Sequence, residues 1–153
     1  MSTIFGNGKP KFTGTGTPDS TARTFYYPIL TEMNFSEKIT KMNESIISHK
    51  RTWDHKGRHG LFVVKELLYK LTTSPTPKEW LTTLLTYEHQ DVKFYISSDA
   101  TAPCLKNTAG TDITCHIVNI EPGFEDNRGL LLDYCLITFM TNEPYDLDRL
   151  ILP

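Results

Sequence analysis

The stretch Thr76-Pro77-Lys78-Glu79-Trp80-Leu81-Thr82-Thr83-Leu84-Leu85-Thr86-Tyr87-Glu88 decides the fold. Thr76 is a capping residue type, Pro77 is tolerated at the first helical position, and Glu79 follows the cap by three residues. Trp80, Leu81, Leu84, Leu85 and Tyr87 then recur at helical spacing. The spacing predicts one α-helix over residues 77–88. On both sides the sequence reads as strands, so the expected class is mainly β with one helix (α+β). The expected architecture is a β-barrel or sandwich of antiparallel strands flanked by that helix.

Upstream, Thr24–Leu30 (TFYYPIL) suits a strand, with Pro28 favouring an edge or a terminus. Phe35–Met42 alternates weakly and reads as a half-exposed strand. Ser45–Trp53 is a third candidate. Asp54–Gly60 reads as a turn, because Gly57 and Gly60 can take positive φ. Leu61–Leu71 reads as a long strand, since Phe62-Val63-Val64 is β-rich and a turn precedes it. Downstream, Asp91–Ser97, Asp112–Ile120 and Leu130–Thr141 have strand character. Both faces of Leu130–Thr141 are largely apolar, which places it centrally or under cover on both sides.

The chain has 153 residues and reads as one domain over 24–145. The Gly- and Thr-rich residues 1–23 read as a flexible arm with Phe5 and Phe12 as its anchors, and 146–153 as a C-terminal tail. With 16 Lys and Arg against 18 Asp and Glu, there is no electrostatic case for nucleic acid or an anionic membrane as partner. No apolar run approaches a membrane span, and Met1–Pro10 lacks the apolar core of a secretory signal. Folding in a cytoplasm is expected, with Cys104, Cys115 and Cys135 as free thiols.

No catalytic constellation stands out. His55 and His59 are four apart with Asp54 adjacent, but they flank Gly57 in an expected turn rather than on a helix, so no metal is expected. Cys115 and His116 are strand neighbours and point to opposite faces. Gly6-Asn7-Gly8-Lys9 lacks the full phosphate-loop pattern. The expectation is therefore no enzyme, no cofactor and no metal. Phe25-Tyr26-Tyr27 cannot all face inward on one strand, so at least one ring meets solvent, another subunit or the arm.

The order Phe25-Tyr26-Tyr27-Pro28, Lys50-Arg51-Thr52-Trp53-Asp54, the 61–71 strand, the Trp80-Leu81-Thr82-Thr83-Leu84-Leu85 helix, Val92–Asp99, Ile117–Pro122 and Leu136–Phe139 resembles the small structural proteins of long-tailed bacteriophages. The resemblance is greatest to the tail-tube and distal-tail (tube-initiator) group. It implies a virion structural protein that assembles with itself as a ring, commonly hexameric, around a central channel through which DNA can pass. Other tail proteins would be its neighbours, and the host cytoplasm its place of synthesis. It implies no catalytic residue. Arms and long hairpins reach neighbouring subunits in such proteins, a role suited to residues 1–23 and 45–71. The candidate interface residues are Phe5, Phe12, Tyr26, Tyr27, Ile46, Ile47, Trp53 and Arg58. Removing residues 1–23, or placing charge at Ile46 and Ile47, is then expected to weaken assembly and leave the monomer folded. Two other classes fit the sequence: a non-catalytic carbohydrate- or peptide-binding module using Trp53, Tyr26 or Tyr27, and an enzyme using His116 with Cys104 or Asp112.

Overall fold

The structure, a computed structural model, describes residues 9–97, 105–124 and 132–145. The elements in chain order are β1 (Lys11–Gly14), β2 (Ala22–Thr24), β3 (Pro28–Glu44), β4 (Arg51–Glu66), a single 3-10 turn (Leu68–Lys70), α1 (Pro77–Leu85), β5 (Asp91–Tyr95), β6 (Cys115–Gly123) and β7 (Tyr134–Thr141). The strands form one antiparallel sheet in the order β2-β1-β5-β6-β7-β4-β3. The class is mainly β with one helix. The sheet is not closed into a barrel: among the described residues, β2 and β3 remain its two edges.

The sheet nevertheless curls tightly. β1 and β7 are three strand spacings apart in the sheet order, about 14 Å if it were flat. The rings of Phe12 on β1 and Phe139 on β7 lie 5.9 Å apart, centroid to centroid. Phe62 on β4 and Phe94 on β5 are likewise three strands apart, yet their rings are 5.0 Å apart. Phe94 meets Phe139 at 4.6 Å and Phe12 meets Tyr87 edge-on at 5.0 Å. These fully buried aromatics fill the concave side. Rings of this size hold the sheet curved, because flattening it would separate them and return their faces to water.

α1 covers one end of the concavity. Thr76 caps it, its Oγ1 accepting from the Glu79 amide at 3.3 Å, with Pro77 at the first position, as the sequence predicts. Trp80 and Leu84 are its buried residues. The helix ends at Leu85, and Tyr87 continues inward from a turn after it, its amide donating to the Leu84 carbonyl at 3.0 Å. β7 lies between β6 and β4, the central position that its two apolar faces call for. Cys115 and Cys135 are buried and in no disulfide among the described residues; Cys104 lies outside the described residues.

Several sequence expectations differ from the structure. The turn expected at Asp54–Gly60 is strand, and the strand expected at Ser45–Trp53 begins only at Arg51. The hairpin runs Pro28–Glu44 to Arg51–Glu66 and reverses between Ser45 and Lys50. Ser45 and His49 close the reversal, not glycine: the Ser45 amide donates to the Lys50 carbonyl at 2.8 Å, and the His49 amide donates to the Ser45 carbonyl at 2.9 Å. His49 takes the left-handed φ of 55°. Gly60 serves packing instead. A Cβ there would meet the Phe62 ring at 2.8 Å, and its amide donates to Thr141 Oγ1 at 2.9 Å.

On β4 the buried row is Phe62, Val64 and Glu66, continued by Leu68 beyond the strand. Aromatic Phe62 and the acid at 66 both have partners inside, whereas Lys65 on the other row does not face the core.

The arm differs as well. Residues 11–14 and 22–24 are sheet strands, Phe12 pairs opposite Phe94, and its side chain has no exposed surface. A strand with such an anchor is part of the core rather than an appendage. Residues 1–8 lie outside the described residues. Phe12→Ala is expected to destabilise the monomer by about 3–5 kcal/mol, read as a shift in urea midpoint at constant slope. Deleting residues 1–23 is expected to unfold the chain, because it also strips β5 of a partner. A folded deletion monomer with an unchanged midpoint would contradict this packing.

Candidate functional site: a carboxylate clamp and a projecting hairpin

Glu66 ends β4 on the buried row and is fully enclosed. Its carboxylate accepts from the Tyr26 amide at 3.0 Å, the Tyr27 amide at 2.5 Å and Trp80 Nε1 at 3.0 Å. The neighbouring Leu67 amide donates to the Tyr27 carbonyl at 3.0 Å. On the other side, the Phe25 amide donates to the Pro10 carbonyl at 3.1 Å. Residues 25–27 thus cross from the β1–β2 end of the sheet to its β4–β3 end, and one carboxylate ties that crossing to the helix.

Burial pushes the Glu66 carboxyl above its ordinary range, against the hydrogen bonds from Tyr27, Trp80 and Tyr26 and the field of Lys9. Desolvation costs several kcal/mol and three charge-assisted hydrogen bonds return about 1.5–3 kcal/mol each, so the two nearly offset. By contrast, hydrogen bonding holds three other carboxyls below the ordinary range: Asp19 with Tyr87, Asp91 with His116, and Asp112 with Lys106. Asp91 and His116 Nδ1 are 2.9 Å apart on neighbouring strands, with Asn142 Nδ2 donating to Asp91 at 3.1 Å. Asp112 sits between Lys106 and Lys93. Each carboxylate has local partners that explain it structurally. Among the described residues, no group of three metal-ligating side chains converges. His116 and Cys115 point to opposite faces, Cys115 being buried and His116 half-buried. Burial, with the Glu66 charge adding to it, pushes the Cys135 thiol up to about 12, the reverse of an activated nucleophile.

Surface features lie elsewhere. β7 pairs with β4 only from Leu61 to Glu66. Beyond Gly60, β3 and β4 pair with each other as far as Glu44 and Arg51, with register shifts near Ile39. About nine residues per strand project past the sheet, roughly 30 Å. At the tip, Ile46 and Ile47 are 93% and 94% exposed. The turn beneath them is ordered by the Ser45 bonds above and by Glu44, which lies 3.6 Å from His49 and 3.7 Å from Arg51.

The residues expected at an interface fall in different places. Ile46 and Ile47 share the tip. Tyr26 and Tyr27 sit on the crossing segment, 37% and 41% exposed, with Tyr26 edge-on to Trp80 at 4.9 Å. Lys9 and Lys70 approach the Tyr27 ring at 5.2 and 5.8 Å. Arg58 is exposed near the hairpin base, where its carbonyl accepts from the Tyr145 amide at 3.1 Å. Phe12 is core. Phe5 and the Trp53 side chain lie outside the described residues. Sequence reading missed Glu66; the signal was an acid on the same strand row as Phe62 and Val64.

No protein-family model matches the chain, and no curated protein matches it. Three chains of solved structures match it at low identity and low TM-score. One chain of the anti-feeding prophage baseplate, a cryo-EM structure symmetrised six-fold, is 11% identical, with 94% of this chain and 95% of that one covered and a TM-score of 0.43. A chain of the anti-feeding prophage cap, which terminates the tube, is 10% identical over 95% and 91%, with a TM-score of 0.39. A chain of the PVC sheath–tube complex, an extracellular contractile injection system in its extended state, is 12% identical over 94% and 88%, at 0.37. Likeness at this level assigns neither a family nor a role.

The clamp carries a signed pH dependence. Because the folded Glu66 pKa lies above its ordinary 4.5, its contribution is fully present below pH 4.5 and is lost as pH rises through the folded value. Subtracting a Glu66→Gln profile of urea midpoints from the parent profile is expected to isolate this fall, since the lowered aspartates cancel. Glu66→Ala is expected to cost about 3–5 kcal/mol at neutral pH, as three donors lose their acceptor. Parallel pH profiles for parent and E66Q would overturn the buried carboxylate.

Proposed function

We propose that this chain is a structural protein of a phage-tail-like particle, working by assembly with copies of itself and with other tail proteins. The observation that carries the reading is the projecting hairpin: two strands paired only with each other among the described residues, ending in two isoleucines with almost no cover. Burying each isoleucine would release about 1.5–3 kcal/mol, so an ordered turn that presents both to water has its use in a complex. The two sheet edges add to this. Among the described residues β2 and β3 are the edges of the sheet, and a neighbour can pair with them or cover them. The sequence resemblance to tail-tube and tube-initiator proteins supports the same role.

In this reading the curled body is a rigid block and the hairpin is the contact arm. A knob on one surface and its seat on another make a heterologous contact, which closes as a ring when the rotation permits. A hexameric ring around a channel, as tube, tube initiator or hub, is the form we infer. The residues that act are contact residues, and none is assigned a catalytic role. The particle tail is the inferred location. A carbohydrate or peptide module has less support: Tyr26 packs on Trp80, and the ring of Tyr27 lies between two lysines.

The test is the I46E/I47E double variant. Its monomer is expected to keep the parental urea midpoint to within about 0.5 kcal/mol, because both positions are solvent-exposed. Sedimentation velocity over a concentration series is expected to show loss of the parent's larger species. Equal assembly by parent and variant would refute the contact-arm role.

A further inference from the structure

The hairpin tip needs a seat, and one face of the sheet has the chemistry for it. β4 and β7 are neighbours in the register Leu61 opposite Met140, Val63 opposite Thr138 and Lys65 opposite Leu136. Successive side chains alternate in direction. Phe62, Val64 and Glu66 on β4, with Cys135, Ile137 and Phe139 on β7, point inward and are buried. Leu61, Val63, Leu136 and Met140 therefore share the outer face, in the middle of the sheet, each half-buried. The helix packs on the opposite side, where Trp80 reaches the inward carboxylate of Glu66. Lys65 lies at one end of this outer stripe, with its ammonium 4.5 Å over the Tyr134 ring.

Acids flank the stripe. Glu32 on β3 stands opposite Val63, and Glu121 on β6 stands opposite Leu136; both are exposed. The tip has the opposite charge. Next to Ile46 and Ile47 come His49, Lys50 and Arg51, with Glu44 as the acid among them. A second exposed apolar surface, around Tyr26, Tyr27 and Tyr69, carries Lys9 and Lys70 beside the Tyr27 ring. A basic tip would meet like charge there, which is unfavourable, and opposite charge at the stripe. The tip cannot be its own stripe's occupant, because the paired strands carry it roughly 30 Å beyond Leu61.

We propose that the stripe formed by Leu61, Val63, Leu136 and Met140 receives Ile46 and Ile47 of a second copy of this chain, with Glu32 and Glu121 facing the basic tip. This rests on the assembly reading above and names the seat of the contact arm. The contact joins unlike surfaces, so each copy offers one knob and one seat.

The test is disulfide trapping in the full chain carrying Cys104→Ser, with two differently tagged variants mixed at assembling concentration under a mild oxidant. Ile47→Cys with Val63→Cys is expected to give a mixed dimer linked between the two tags. Ile47→Cys with Tyr69→Cys is expected to give none. In a second arm, the E32K/E121K variant is expected to lose assembly and Lys50→Glu to restore it in the same chain, with far-ultraviolet circular dichroism unchanged. Assembly without the 47–63 link, or with a 47–69 link in its place, would overturn the stripe and leave the assembly reading intact. A parent that stays monomeric at every concentration would overturn both.

Discussion

The enclosed carboxylate of Glu66 is the constraint on which the rest depends. A sheet with an open order must still exclude water from its aromatic interior. Here the gap between its two ends is crossed by residues 25–27, whose amides find their acceptor on Glu66. The same carboxylate takes the Trp80 indole and so fixes the helix over the end of the concavity. An apolar residue at 66 would leave three N–H groups inside without a partner, a larger cost than the desolvation of one acid. The structure therefore retains a buried charge whose pKa is raised and whose energetic yield is small, because it sets which segments meet.

The consequence is a division of labour within β3 and β4. Their halves near Glu66 are core strands, curved and covered by Phe62, Val64 and the rings across the concavity. Their other halves leave the sheet at Gly60, where close packing on Phe62 and Thr141 excludes a larger side chain. Past that point, among the described residues, the two strands form ladder pairs with each other alone, and the tip presents Ile46 and Ile47. One pair of strands thus links a block that folds for itself with an arm whose isoleucines remain uncovered in the single chain.

Much of this was legible in the residues. The cap Thr76, Pro77 and the Trp80 periodicity located the helix, and the two apolar faces read over Leu130–Thr141 gave the central strand, which runs Tyr134–Thr141. The hairpin's reversal was misplaced because Gly57 and Gly60 carry the local signal for a turn, whereas Ser45 and His49 make it through hydrogen bonds and a left-handed residue. The first strand was hidden because one phenylalanine, Phe12, anchors it among glycines and threonines; its value lies in the rings of Phe25, Tyr87 and Phe139, which only the fold assembles around it. Glu66 was hidden for the same reason. An acid on an apolar row reads as an interruption until the amides that it accepts from, 39 and 40 residues away, are in place.

Amide hydrogen exchange, followed from dilute to concentrated protein, tests this division most directly. The account predicts that in the dilute chain the amides of Phe12, Phe62, Val64 and Phe139 are strongly protected while those of residues 36–44 and 51–59 exchange sooner, and that concentration protects the second set alone. Hairpin amides as protected as the body in the dilute chain, and unchanged on concentration, would contradict it.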